Sequence, residues 1–367
     1  MNESWRTAPK DGASRGENLG SQPLRRHSVF NNPDVVAEAW YPACRSSELA
    51  KRQTRSVKIT NQRLVVFRGE DGVARALDAF CPHMGADLGN GRVQGQEIEC
   101  YFHGWCFDGG GELTKIRARC ELPRHVRTRG YPVEEKYGFL WVYAGEKAPY
   151  PVPDCPGLEG KAVVSLHLGA PLLFAHHHVM MAGGVDLQHF ATVHGLDMQF
   201  ELSVEEREEG GQLVDFRLAG KIPNLGWRAR LGRWLLGEEF RYVARFAGGS
   251  IVALSYGMGQ RLFGRGRPLA PLHILWGCAA ESSGVSRVQV ILVAERRPGL
   301  GLLLSWGLIG LTALLLMVLR DDDVKAFPNM RFQLGRLIEP DTSVARFVQF
   351  IDKLPRSIWS RPEEGPP

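Results

Sequence analysis

From Asn32 onward, short apolar runs alternate with turn residues. Val57–Thr60, Arg63–Arg68, Ala74–Phe80 and Gly138–Tyr143 are rich in Val, Leu, Ile or aromatic residues and are bounded by Gly, Asn or Asp. That is the pattern of strands and hairpins. Their close spacing predicts a small all-β unit ending near Ala144. Pro149–Pro156 carries four prolines and reads as a linker. Beyond it, strand-like stretches at Lys161–His167, Gln212–Leu218, Phe240–Phe246, Ile251–Tyr256 and Ser286–Glu295 mix with helical patterns at Val185–His194 and Ser343–Leu354. In the last of these, Val344, Phe347, Phe350, Ile351 and Leu354 recur at helical spacing. The mixture predicts an α+β second domain. The expected organisation is a tail over 1–31, a first domain over 32–146 and a second over 147–367.

The chain of 367 residues is long enough for two such cores, and 44% hydrophobic with 23% charged residues is globular composition. A net charge of +5 gives no argument for nucleic acid. The opening tail, through about His27, is polar and rich in Gly, Ser and Arg, offers little to bury, and is expected to be disordered. It lacks the apolar core of a signal peptide, so a reducing, cytoplasmic compartment is expected. Fraying is expected at Arg361–Pro367. Seven cysteines (Cys44, Cys81, Cys100, Cys106, Cys120, Cys155, Cys278) are an odd number for a disulfide scaffold and point first to metal.

Cys81-Pro82-His83 and Cys100-Tyr101-Phe102-His103 form C-x-H-x16-C-x2-H. Two thiolates and two imidazoles suit a [2Fe–2S] cluster with cysteines on one iron and histidines on the other; neutral imidazoles raise its potential. Gly85, Gly104 and Gly109–Gly111 are placed to let backbone approach the sulfurs. A zinc site or unrelated core residues are the alternatives, but zinc favours shorter spacings without the glycine-rich loops.

With its flanking words CPHMGADLGNG and CYFHGWCFD, this region resembles the Rieske family. Electron carriers of the cytochrome bc type have two further loop cysteines; the corresponding positions here are Ala86 and Phe102, so the resemblance is to the oxygenase branch.

About 85 residues downstream, Asp186, His189 and His194 form D-x2-H-x4-H, with Asp186 expected beside His189 on one helical face. Two His and a carboxylate with open positions make the facial triad of O₂-activating Fe(II). The spacing alone is a weak signal, since a helical His is usually structural. The resemblance implies that His189 and His194 bind iron, and that Asp186 bridges His189 to His103 of a neighbouring subunit. It also implies a distant carboxylate. Asp323-Val324-Lys325-Ala326-Phe327-Pro328-Asn329-Met330-Arg331-Phe332 resembles the third-ligand segment of the steroid-hydroxylating branch, which selects Asp323, with Asp322 as the alternative. Three acidic residues in a row are otherwise a solvated run or a helix cap. Where the family often has Glu-Asn, this chain has Ala182-Gly183. His176-His177-His178 is an alternative ligand trio, more simply read as a strand or loop of alternating exposure.

Leu300–Leu319 carries no charge and is flanked by Arg296, Arg297 and Arg320. It has the length of a membrane span, but a crossing would part Asp323 from His189 and His194. A helix or bent helix pair, buried or lying in one leaflet, is expected, and core packing is the plainer alternative. Lys115, Arg117, Arg119, Arg124, Arg127 and Arg129 form a basic stretch suited to docking an acidic ferredoxin, or a plain solvated surface.

The resemblance further implies a helix-grip (START-like) catalytic domain, homotrimers, and NAD(P)H electrons delivered by a separate reductase or ferredoxin. With O₂ these would hydroxylate or desaturate a large hydrophobic, sterol-like or lipid-like substrate, the alternatives being aromatic hydroxylation, O-demethylation, or a non-catalytic electron carrier with a lipid-binding domain.

Overall fold

The computed structural model describes residues 28–361 apart from 120, 124, 195–197, 199, 208–209, 223–229, 231–232, 235–236, 262–265, 267, 328–329 and 331; the side chains of 318–325 are also outside the description. The chain opens with three small antiparallel sheets. One joins β1 (Trp40–Arg45), β11 (Phe139–Tyr143) and β10 (Val133–Lys136). The second has the order β2 (Thr54–Ile59), β3 (Gln62–Arg68), β4 (Ala74–Asp78) and β9 (Gly130–Tyr131). The third runs β5 (Arg92–Gln94), β6 (Glu97–Glu99), β7 (Cys106–Phe107) and β8 (Leu113–Lys115), and carries the cysteine–histidine loops.

An eight-stranded antiparallel sheet follows, in the order β12 (Val163–Gly169), β19 (Val285–Glu295), β18 (Leu272–Ser282), β17 (Ile251–Tyr256), β16 (Glu239–Ala247), β15 (Leu213–Lys221) and β14 (Phe200–Arg207), with β13 (Leu172–Leu173) also on β19. Its central strands are buried on both faces, which explains the unbroken apolar run Ile251–Leu254. Val252 and Leu254 point to one core with Phe216, Phe246 and the helices. Ile251 and Ala253 point to the other, against Trp40, Trp141 and Tyr150. The period of two along a strand sends alternate residues to the two sides. The α+β class read from the sequence therefore holds.

The helical side carries α1 (His177–Gly183), α2 (Leu187–Thr192), α3 (Gly301–Ala326) and α4 (Thr342–Asp352). Phe347, Val348 and Ile351 of α4 are buried in the core. One finding amends the sequence reading. Ser28–Asn31, assigned above to the tail, is packed: Val29 and Phe30 are buried, and Asp352 Oδ1 accepts from Ser28 Oγ at 2.7 Å, Val29 N at 3.0 Å and Phe30 N at 2.8 Å. The apolar run forms one continuous helix, the first of the two forms expected. Ser305, Ile309 and Thr312, at i, i+4 and i+7, are buried, and Ser305 Oγ donates to Glu295 O of β19 at 2.6 Å. Among the described residues, no helix is long and apolar enough to cross a membrane.

Candidate metal centres

The two cysteine loops have the same backbone design. Cys81 N donates to Ala86 O at 2.8 Å and Gly85 N to Cys81 O at 2.9 Å; Cys100 N donates to Trp105 O at 2.8 Å and Gly104 N to Cys100 O at 3.0 Å. Each loop closes through a glycine of positive φ four residues after the cysteine, +75° at Gly85 and +67° at Gly104. Cys81 and Cys100 are buried while His83 and His103 lie at the surface, their rings 4.6 Å apart. Buried sulfurs below and exposed imidazoles above are the donor set of a histidine-ligated diiron cluster. Burial pushes the Cys81 thiol up to about 11, so a cation is needed to hold it as thiolate.

Two supports here were not foreseen. Trp105 stacks on His83 at 4.2 Å and 5°, fixing that ring. Glu99, beside Cys100, is buried and accepts from Arg92 Nε and Arg117 Nη2, both at 2.7 Å. Arg92 in first place, with Arg117, holds its carboxyl at about 2. Arg117 also covers Gly104, where a Cβ would sit 2.5 Å from its Nε. Arg127 reaches Glu112 at 3.4 Å, so part of the basic stretch is paired internally; Arg124 lies outside the described residues. Gly109–Gly111 follows the second cysteine loop. It forms the turn capped by Asp108 Oδ1, where a Cβ on Gly111 would meet Thr128 O at 2.1 Å.

The second group lies between α1 and α3. Asp186 precedes α2 as its N-cap, so it does not stack on the helical face with His189. Its Oδ1 accepts from Gln188 N at 3.0 Å and His189 N at 3.3 Å. Its main-chain oxygen accepts from His189 Nδ1 at 2.7 Å, which sets the tautomer with the lone pair on Nε2. His189 and His194 have ring centroids 5.1 Å apart. Both line a cavity that is partly open to solvent, with walls of Phe190, Phe240, Tyr256, Trp276, Leu316 and Phe327.

The side chains of Asp323 and Asp322 lie outside the described residues, although the backbone of α3 continues through Ala326. Gly183, which stands where the family often has an amide, packs against Phe327: a Cβ there would lie 2.9 Å from Phe327 Cζ. Gly183→Asn is accordingly expected to overpack this wall and cost about 1–3 kcal/mol, measured as a lowered urea midpoint.

His176, His177 and His178 are neither strand nor loop of alternating exposure. They cap and begin α1, and all three are buried. Their ligand-type nitrogens lie within 4.8 Å of one another, and one ring nitrogen of each is engaged by the fold. His178 Nδ1 accepts from Asn31 N at 3.1 Å, His176 Nδ1 accepts from His178 N at 3.2 Å, and His177 Nδ1 meets Ser286 Oγ at 3.4 Å. Burial drives His176 down to about 4 and the other two well below the ordinary range. The folded state therefore refuses protons that the unfolded chain takes up, so stability is full above about pH 6.5 and falls as pH drops towards 4. Thermal midpoints measured across that window check the sign.

Comparison with known proteins agrees with this arrangement. The Rieske [2Fe-2S] domain model matches residues 39–127. The chain is 28% identical over 200 residues to cholesterol 7-desaturase of Bombyx mori, covering 52% of this chain and 43% of that protein. It is 30% identical over 235 residues to the vanillate O-demethylase oxygenase subunit of a Pseudomonas species, covering 61% of this chain and 69% of that protein. The chain thus spans less than half the length of the sterol-converting relative but two thirds of the demethylase. Dicamba monooxygenase, solved with non-heme iron and dicamba, superposes with a TM-score of 0.59 at 19% identity over 87% of this chain and 97% of that one, a likeness of fold. Taken with the paired cysteine–histidine loops, the demethylase match shows that the chain belongs to the Rieske oxygenase family.

Proposed function

We propose that this protein is the oxygenase component of a system that uses O₂ and externally supplied NAD(P)H electrons to hydroxylate or desaturate a large hydrophobic, sterol-like or lipid-like substrate. The observation that carries the reading is the cavity in which His189 and His194 face aromatic and aliphatic walls. Cys81, His83, Cys100 and His103 would hold the cluster. His189, His194 and Asp323 would hold the iron. When bound, the two groups supply electron storage and dioxygen activation.

The chain's own residues prepare that chemistry. Asp186 orients His189 through its main-chain oxygen and anchors the start of α2 with its carboxylate. The backbone of α3, which brings Leu316 into the cavity wall, continues through Ala326 and so carries Asp323 and Asp322. Asp323 is the choice on the resemblance of its segment, with Asp322 as the alternative. Phe240, Trp276 and Leu316 exclude water and orient an apolar molecule.

His103 stands exposed beside Tyr101 and Phe102, both open to solvent. An apolar rim around an exposed histidine suits docking against a neighbouring subunit of a homotrimer, with Asp186 on the receiving side. A ferredoxin or reductase would deliver the electrons. The demethylase relative favours a second reading, an aromatic O-demethylase or hydroxylase. Turnover by the reconstituted holoenzyme separates the two: sterols are expected to be oxidised with O₂ uptake and methoxybenzoates not, and the reverse outcome would overturn the substrate assignment. Work at a membrane surface, from which such a substrate is drawn, belongs to the same reading.

A further inference from the structure

The inner stripe of α3 is packed on the sheet, but its outer face is not covered. Leu300 and Leu303 are 86% and 72% exposed, and Leu304, Trp306, Leu311 and Leu314 are open to solvent as well. A helix apolar all round is ordinarily buried all round, and a run of exposed leucines this long marks an interaction surface. The chemistry of that face narrows what covers it. Ser305 and Thr312 both turn inward, Ser305 onto Glu295 O and Thr312 onto Leu308 O at 2.7 Å. The outer face from Leu300 to Met317 therefore offers no hydrogen-bonding side chain except the indole of Trp306. Protein interfaces carry a polar rim and about one hydrogen bond per 100–200 Å²; hydrocarbon asks for none.

Cations stand at the entrance to this face. Arg296 is exposed and Arg297 half-buried immediately before Leu300, where anionic headgroups would meet them. The same helix places Leu316 in the cavity wall beside His189 and His194.

The geometry points to α3 as an in-plane membrane-docking helix: its outer leucines enter the acyl region of one leaflet of an anionic bilayer, Arg296 and Arg297 pair with headgroups, and lipid-dissolved substrate reaches the cavity around the helix. The purpose of this surface rests on the proposed function, but its binding to lipid does not. Burial of Ser305, Ile309 and Thr312 on the sheet keeps α3 from being surrounded by lipid, so the chain lies on the bilayer here instead of crossing it.

Flotation of the iron-loaded protein with vesicles of phosphatidylcholine, alone or mixed with phosphatidylserine, tests the inference. Binding is expected to be stronger to the mixed vesicles and to weaken with salt. Leu303→Glu with Leu314→Glu should reduce partitioning by about tenfold or more, and Arg296→Glu by about fivefold on mixed vesicles only. Lipids brominated in their acyl chains should quench the wild type more than Trp306→Phe. Unchanged iron content in each variant shows that it has folded. Failure to float with either vesicle, or equal flotation of the double leucine variant, overturns the inference. So does break-up of an oligomer by that variant, which would give the face to a second copy. Vesicle binding without oxidation of any lipid-class compound would overturn the substrate reading and leave the docking surface standing.

Discussion

His189→Ala is expected to leave about two irons per chain, the cluster spectrum intact, and O₂-dependent substrate oxidation reduced on the order of a thousandfold. The reasoning begins with the hydrogen bond from Nδ1 to Asp186 O, which presents Nε2 of His189 as a metal donor in the cavity. Removing the ring takes one of two imidazoles from a three-donor site, and the remaining donors bind Fe(II) poorly. The loops of Cys100 and His103 sit on the β5–β8 sheet of the first domain, and α2 belongs to the second, so the cluster spectrum reports separately that the first domain is loaded. Asp186→Asn is a milder change. It keeps the main-chain oxygen and an equally good N-cap acceptor, so iron should be retained with a stability change of only about a few tenths of a kcal/mol.

The largest stability effect is expected at Asp215, on the opposite face of the sheet. Its carboxylate is fully buried and accepts from Arg245 Nε at 2.7 Å and Nη2 at 2.8 Å, a bidentate pair across β15 and β16. Asp215→Ala strands the Arg245 guanidinium in the core, with Glu159 Oε1 at 3.0 Å and Asp154 O at 2.8 Å as its remaining acceptors. Breaking one side of a buried pair costs about 3–5 kcal/mol; Glu159 places the expectation at the lower end. Urea unfolding of the double variant Asp215→Ala, Arg245→Met measures the interaction, since removing both charges should restore much of the loss. A loss below about 1 kcal/mol for Asp215→Ala would show that the pair is solvated.

What could be read from the chain follows from how local each signal is. The cluster ligands were legible because fixed short spacings and positive-φ glycines sit next to one another in sequence. Ile251–Tyr256 was legible from its apolar run. Phe200–Arg207 is not among the strands expected above although Phe200, Leu202 and Val204 alternate with Glu201, Ser203 and Glu205, a period-two pattern obscured by its charge. The role of Gly183 was not legible, since it depends on Phe327, which is remote in sequence. Nor was the burial of Phe30, which depends on Asp352 accepting from backbone more than 300 residues away. Asp186 illustrates a finer limit: spacing placed it near His189 but could not tell a helix cap from a helical face.

The measurement that bears most directly on the account is metal analysis of the purified wild-type chain, joined to electron paramagnetic resonance after reduction. The account predicts about three irons per chain, two giving the rhombic signal of a histidine-ligated cluster and one a ferrous centre lost in His189→Ala. Two irons in the wild type, with function undisturbed by His189→Ala, would contradict it and leave an electron carrier joined to a lipid-binding domain.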